Sequence, residues 1–262
     1  MASDRASRQA FLSVAALLFA CSAAATIVWS ASMSAMGEMP MPGGWTMSMA
    51  WMRMPGQTWP GTAASFVGMW IVMMVAMMLP SLVPALWRYR QAVRRTDQTR
   101  LGLLTAVVGA GYFVVWAVFG MFAFPLGAGL AGLETQVPAM ARGVPIAAGV
   151  VVLVAGALQF TAWKAQHLAW CREKLAGDGT LPADAATAWR HGLRLGLHCS
   201  YGCAGLTAIL LVAGIMNLYA MAGVTAAITV ERLAPAGERV ARGIGAVVVG
   251  AGVFLIARAA ML

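Results

Sequence analysis

TAASFVGMWIVMMVAMMLPSLVPALW, residues 62–87, decides the fold. It holds no charged side chain over a length that, as a helix, crosses a bilayer core of about 30 Å. Arg88, Arg90, Arg94, Arg95 and Arg100 follow it. An apolar run that ends on clustered arginines is a span whose end lies in the cytoplasm. The rest of the chain repeats the pattern. Of its 262 residues, 61% are hydrophobic and 10% charged, against about 25% charged in a soluble domain. Mean hydropathy is +0.77. The net charge of +9 belongs to loop arginines that orient spans, and calls for no nucleic acid.

Outward from that stretch, span one runs from about Ala10 to Ser32, after Arg5 and Arg8. Span three runs from about Leu101 to Leu126, span four from Gly143 to Trp163, and span five from Leu193 to Met216. Leu218–Val230 is a shorter candidate, and Gly243–Ile256 is the last. The expected fold is all-α: a polytopic transmembrane bundle of six or seven helices. Residues 1–32 form an N-terminal span, 33–61 a Met-rich extracytoplasmic loop, and 62–262 the main bundle. Lys164, Arg172, Lys174, Arg190 and Arg194 belong on the same side as the first arginine cluster, and Glu231, Arg232, Arg239 and Arg242 fit that side if Leu218–Val230 crosses. These placements imply a cytoplasmic N-terminus. Arg5, Arg8 and the apolar run also fit a cleaved signal peptide, and LFAC at Cys21 loosely fits a lipoprotein site, though Phe19 suits that poorly. The run is long enough to span, so a retained span is expected.

The loop SMSAMGEMPMPGGWTMSMAWMRMPG holds Met33, Met36, Met39, Met41, Met47, Met49, Met52 and Met54. It is too polar and too broken by Pro and Gly for a membrane helix. Thioethers are soft, uncharged ligands that select soft ions such as Cu(I). Span two continues the theme. Met69, Met73 and Met77 make one stripe, and Met74 and Met78 a second beside it. Such stripes read either as flexible core or as a metal path. Pro80 and Pro84 are expected to end or kink this helix, with Ser81 satisfying freed backbone groups.

The inner side offers stronger ligands. In GLHCSYGCAG, Cys199 and Cys203 are four apart, so their thiols share one helix face. His198 points about 100° away round the helix. His167 and Cys171 form a second pair at the same spacing. Together, Cys, Cys, Cys and His suit Zn(II) by tetrahedral geometry or Cu(I) by softness. Lys164 and Arg172 would favour thiolates. Buried cysteines also simply pack. Packing is the expectation for Cys21 near mid-membrane, and solvation for His191. Gln159, Asn217 and Glu231 are polar groups in or near hydrocarbon and candidates for function. A tight turn also explains Asn217, and an ion pair with Arg232 also explains Glu231. The chain has no Walker loop, aspartyl-phosphorylation motif, HExxH or CxxC. ATP-driven transport by this chain alone, and enzyme activity generally, are not expected.

Three motifs together resemble a bacterial family of predicted metal-binding integral membrane proteins. They are AMMLPS at Ala76–Ser81; WKAQHLAWCR, where Lys164, Leu168, Cys171 and Arg172 match and His167 replaces a Cys; and the C-x-x-x-C of span five with GIMNLYAM and ERLAP. Gly202 and Ala204 depart from a more Cys- and Trp-rich version. The resemblance covers roughly Gly68 to the C-terminus. It implies a multi-pass protein of the bacterial inner membrane with a metal site and no settled activity. The exchange at His167 keeps a metal-ligating residue type.

Two functions remain open at this level. In the first, the outer Met loop captures Cu(I), the inner Cys/His cluster binds it more tightly, and the ion passes to or from a metallochaperone or cuproprotein. In the second, the chain is a non-catalytic membrane subunit whose Met loop docks a partner. A thiol-redox enzyme ranks last, because Cys at i, i+4 on an intact helix is poorly placed for a disulfide.

Overall fold

The computed structural model describes residues 2–35, 37, 39–53, 56–93, 97–173 and 182–261. Met36, Glu38, Met54, Arg94, Arg95 and Lys174 lie outside them, as do the side chains of Met49, Cys171 and Arg172. The chain runs α1 (Ala2–Ala35), β1 (Met39–Met41), β2 (Trp45–Met47), a 3-10 turn (Met49–Trp51), α2 (Trp59–Ala92), α3 (Gln98–Gln136), α4 (Pro138–Leu158), α5 (Ala162–Glu173), α6 (Ala185–Ala213), α7 (Leu218–Leu233) and α8 (Gly237–Ala260).

It is an all-α bundle. The helices α1, α2, α3, α4, α6 and α8 are long and apolar enough to cross a membrane. With 16 residues, α7 is about 24 Å long. Four helices start where a polar side chain accepts an otherwise unpaired N–H. Thr58 receives Gly61, Asp97 receives Thr99, Asp184 receives Thr187 and Asn217 receives Ala220. Asn217 is therefore a helix cap. α4 begins without a side-chain cap but with Pro138 in its first turn, where a missing N–H costs nothing.

Two expectations about helix ends are corrected. Pro80 and Pro84 do not end α2, which continues to Ala92. Ser81 Oγ donates to the Met78 carbonyl there, and the packed bundle holds the helix together. Span four is two helices. α4 stops at Leu158, the chain turns through residues 159–161, and Thr161 Oγ1 accepts the Lys164 N–H at the start of α5.

Hydrogen bonds place the two ends of the bundle. At one end, Arg90 donates to Ser7, Ser7 to Gln98, and Arg100 to the Ala183 carbonyl. This is the basic end. At the other, Ser30 donates to the Met216 carbonyl and the Trp45 indole to the Ala141 carbonyl.

The Met-rich segment is ordered as a hairpin rather than an open loop. Met39 pairs with Met47 and Met41 with Trp45 across an antiparallel ladder. Gly43 (φ 101°) and Gly44 (φ 73°) make the turn in a region that disfavours other residues. Met41 and Met47 are buried against Ala131 and Ala141, where α3 meets α4. Cys21 does not pack: it lies exposed on α1.

Candidate metal centre

The approach of α6 to α3 builds the site. A Cβ on Gly192 would run into the Val108 carbonyl, and one on Gly196 would lie 2.9 Å from the Tyr112 carbonyl oxygen. Bare glycines at these positions let the two backbones touch. That contact brings Cys199, one turn below Gly196, against Tyr112. The phenol oxygen lies 2.7 Å from Cys199 Sγ.

Cys199 and Cys203 share one face of α6 and are both 0% exposed. Their sulfurs are 4.0 Å apart, and neither forms a disulfide. An ion bound at about 2.3 Å to both would sit at an S–metal–S angle of about 120°, leaving room for a third donor. A linear two-coordinate ion would need the sulfurs to part to about 4.6 Å.

Arg232, on α7, supplies the positive charge. Its Nη2 donates to Cys203 Sγ and to the Cys199 carbonyl, both at 3.4 Å. Sequence reasoning paired Glu231 with Arg232; the structure adds Lys164 as the hydrogen-bonded partner of the carboxylate, with Arg232 near enough to act on it electrostatically. Glu231 is 0% exposed and pairs with Lys164 Nζ at 2.5 Å. Lys164 also donates to the Gly202 carbonyl at 2.6 Å, within the turn that carries both thiols. Lys164 thus fixes the backbone between the cysteines, and Arg232 is the cation at the sulfurs.

Of the other predicted ligands, His167 and His198 do not gather at the thiols. Among the described residues, no group of three or more His, Cys, Asp or Glu is placed to hold an ion. His167 and His198 face each other instead, ring centroids 5.7 Å apart. His198 stacks on Trp170 at 3.5 Å, and His167 Nδ1 lies 2.8 Å from the Trp163 carbonyl. They form an aromatic cluster on another face of α6. The side chain of Cys171 lies outside the described residues. His191 is not solvated; it is half-buried and stacks on Tyr89 at 5.4 Å.

The Met stripes of α2 face inward. Met73, Met74, Met77 and Met78 are buried in the same core cluster as Tyr112, Cys199 and Cys203. Met33 at the end of α1 and Met39 in the hairpin are half-buried.

Residues 67–255, more than two thirds of the chain, match the profile of a protein family described as PpoB2, copper chaperone. The hairpin precedes the matched region. No curated protein and no solved structure matches the chain.

Proposed function

We propose, from the premise that this chain belongs to the PpoB2 copper chaperone family, that it binds copper(I) between Cys199 and Cys203 and hands it on without chemical turnover. One observation carries this reading: two free thiols, fully buried and 4.0 Å apart, beside a guanidinium. Thiolates are soft and select Cu(I). Two thiolates and one Cu(I) leave a net charge of −1, which Arg232 balances inside a low-dielectric bundle. Structural zinc takes four protein ligands, and only two thiols meet here among the described residues. Burial also keeps water and oxidants from an ion that must stay reduced.

The basic end faces the cytoplasm of a bacterial inner membrane in this reading, and the Met hairpin the opposite side. The half-buried Met33 and Met39 offer weak thioether ligands there. Met73, Met77 and Met78 line the core between the two ends. The receiving or donating partner is a metallochaperone or cuproprotein. The docking-subunit alternative loses force because Met41 and Met47, which it needs on the surface, are turned into the chain's own α3–α4 junction.

Elemental analysis of the purified chain tests the proposal. Wild type loaded with Cu(I) under reducing conditions should retain about one ion per chain. Cys199→Ser/Cys203→Ser should retain none after desalting. Equal retention by both proteins would sink the dithiol site.

A further inference from the structure

Cys199 and Cys203 are fully buried, so an ion must reach them through some opening. A cavity of about 300 Å³ is lined by Ser81, Tyr112, Leu195, Arg88, Arg232 and Pro235, among others. Tyr112 and Arg232 are the two side chains that touch the sulfurs. Arg88 is exposed at the mouth, at the basic end of the bundle. A second cavity of about 290 Å³ is lined by Gln159, Lys164 and Glu238 and includes none of the residues that touch the thiols.

We propose that this first cavity is the docking vestibule for a small, carboxylate-bearing thiol complex of Cu(I), from which the ion exchanges onto Cys199 and Cys203. The inference rests on the copper-binding reading above and adds the class of carrier and its route. Size supports it. About 300 Å³ is the lower end of small-ligand pockets, suited to a tripeptide-sized ligand and far too small for a protein domain. Charge supports it too. Arg88 at the rim presents a guanidinium, which pairs with a carboxylate through forked, charge-assisted hydrogen bonds, and Arg232 inside adds positive potential. The exchange is balanced and involves no redox step. A Cu(I) ion held by two carrier thiolates passes to the two protein thiols. Each protein thiol gives its proton to a departing carrier thiolate, so two neutral carrier thiols leave. Copper stays Cu(I) throughout, and the net −1 charge moves inward to Arg232.

The test compares two donors on the full-length chain in detergent: the Cu(I) complex of glutathione, which carries carboxylates, and that of dithiothreitol, which carries none. Arg88→Gln should load about tenfold more slowly from the glutathione complex, the scale of one charge-assisted contact. It should load at the wild-type rate from dithiothreitol and reach the same final copper content. Raised salt should slow the wild type toward the variant with glutathione only. Equal slowing with both donors, or no slowing with glutathione, would overturn the vestibule. So would loading only from a copper-bearing protein. If no donor loads wild type above Cys199→Ser/Cys203→Ser, the dithiol reading itself fails, and this outcome is distinct from the others.

Discussion

Replacing Lys164 with Met should open the thiol site. Glu231 is 0% exposed and the Lys164 side chain 4%, with 2.5 Å between Nζ and Oε1. Water cannot take over the role of the ammonium. Gln159 Nε2 also donates to the carboxylate, at a long 3.5 Å. Removing one member of such a pair strands a buried charge, at a cost of about 3–5 kcal/mol. That is a shift of two to four powers of ten, roughly, in the opening equilibrium. A smaller share, about 1 kcal/mol, is the lost donor to the Gly202 carbonyl. Adding Glu231→Gln removes the stranded charge, so the double variant should recover most of the loss and leave only that share. The assay is the rate at which a thiol reagent labels Cys199 and Cys203 under native conditions, in a background with Cys21 and Cys171 changed to Ser. Labelling of buried thiols reports the population of open states. Lys164→Met should label at least a hundredfold faster than its parent, by roughly the lower bound above. Lys164→Met/Glu231→Gln should fall back to within about tenfold. If the single variant labels within threefold of its parent, or the double as fast as the single, the ion pair does not hold the site.

Gly192→Ala should lower thermal stability, because its Cβ meets the Val108 carbonyl. Overpacking of this kind costs about 1–3 kcal/mol. Gly202→Ala, whose Cβ would come no nearer than 3.7 Å to His167, should unfold like wild type in the same detergent melt. Tyr112→Phe loses the 2.7 Å contact to Cys199 and should weaken copper up to tenfold in a competition titration, the span of one neutral hydrogen bond. Asp184 caps α6, and the Thr187 N–H, then its hydroxyl, hold the carboxylate below its ordinary value of 3.8. A depressed folded value means the ionised cap stabilises above the unfolded value, and that gain fades as pH falls through the folded one. The stability gap between wild type and Asp184→Asn should therefore be present at pH 7 and close at strongly acid pH.

The spans were legible because bilayer thickness and hydropathy set them almost alone. Their ends were not. α6 starts at Ala185 rather than near Leu193 because its first turns, TAWRHGLRLG, are helical yet too basic to register as apolar. The break between α4 and α5 is three residues of turn, capped by Thr161, inside an otherwise hydrophobic run. The hairpin did leave a local signal: apolar residues alternate in MPM and WTM around Pro-Gly-Gly, a pattern that favours a strand pair. The Cys199/Cys203 pair and the separation of His198 from it followed from helix geometry. Arg232 was missed as a partner of the thiols, because it comes from α7 and no spacing within α6 points to it. The meeting of His167 with His198 comes from the packing of α5 on α6, for which no local spacing gives a sign.

In the copper(I) reading proposed above, the position of Arg232 connects stability to handover. It touches Cys203 Sγ on one side and lines the cavity on the other. An uncharged dithiol gains little from a guanidinium, whereas a copper-bound dithiolate, with one net negative charge, gains a charge-assisted contact in a dry site. The loaded state is thus stabilised where it forms, and the same cation is within reach of an anion entering the cavity. A sulfur spacing of 4.0 Å favours a bent pair of bonds with a third direction unfilled. An incoming thiolate can occupy that direction before either protein bond breaks. Exchange then needs no bare ion and no redox step. A site with four ligands would hold metal more firmly but would have to lose one before releasing it. Two thiols, one cation and an adjoining cavity are what a carrier of copper requires.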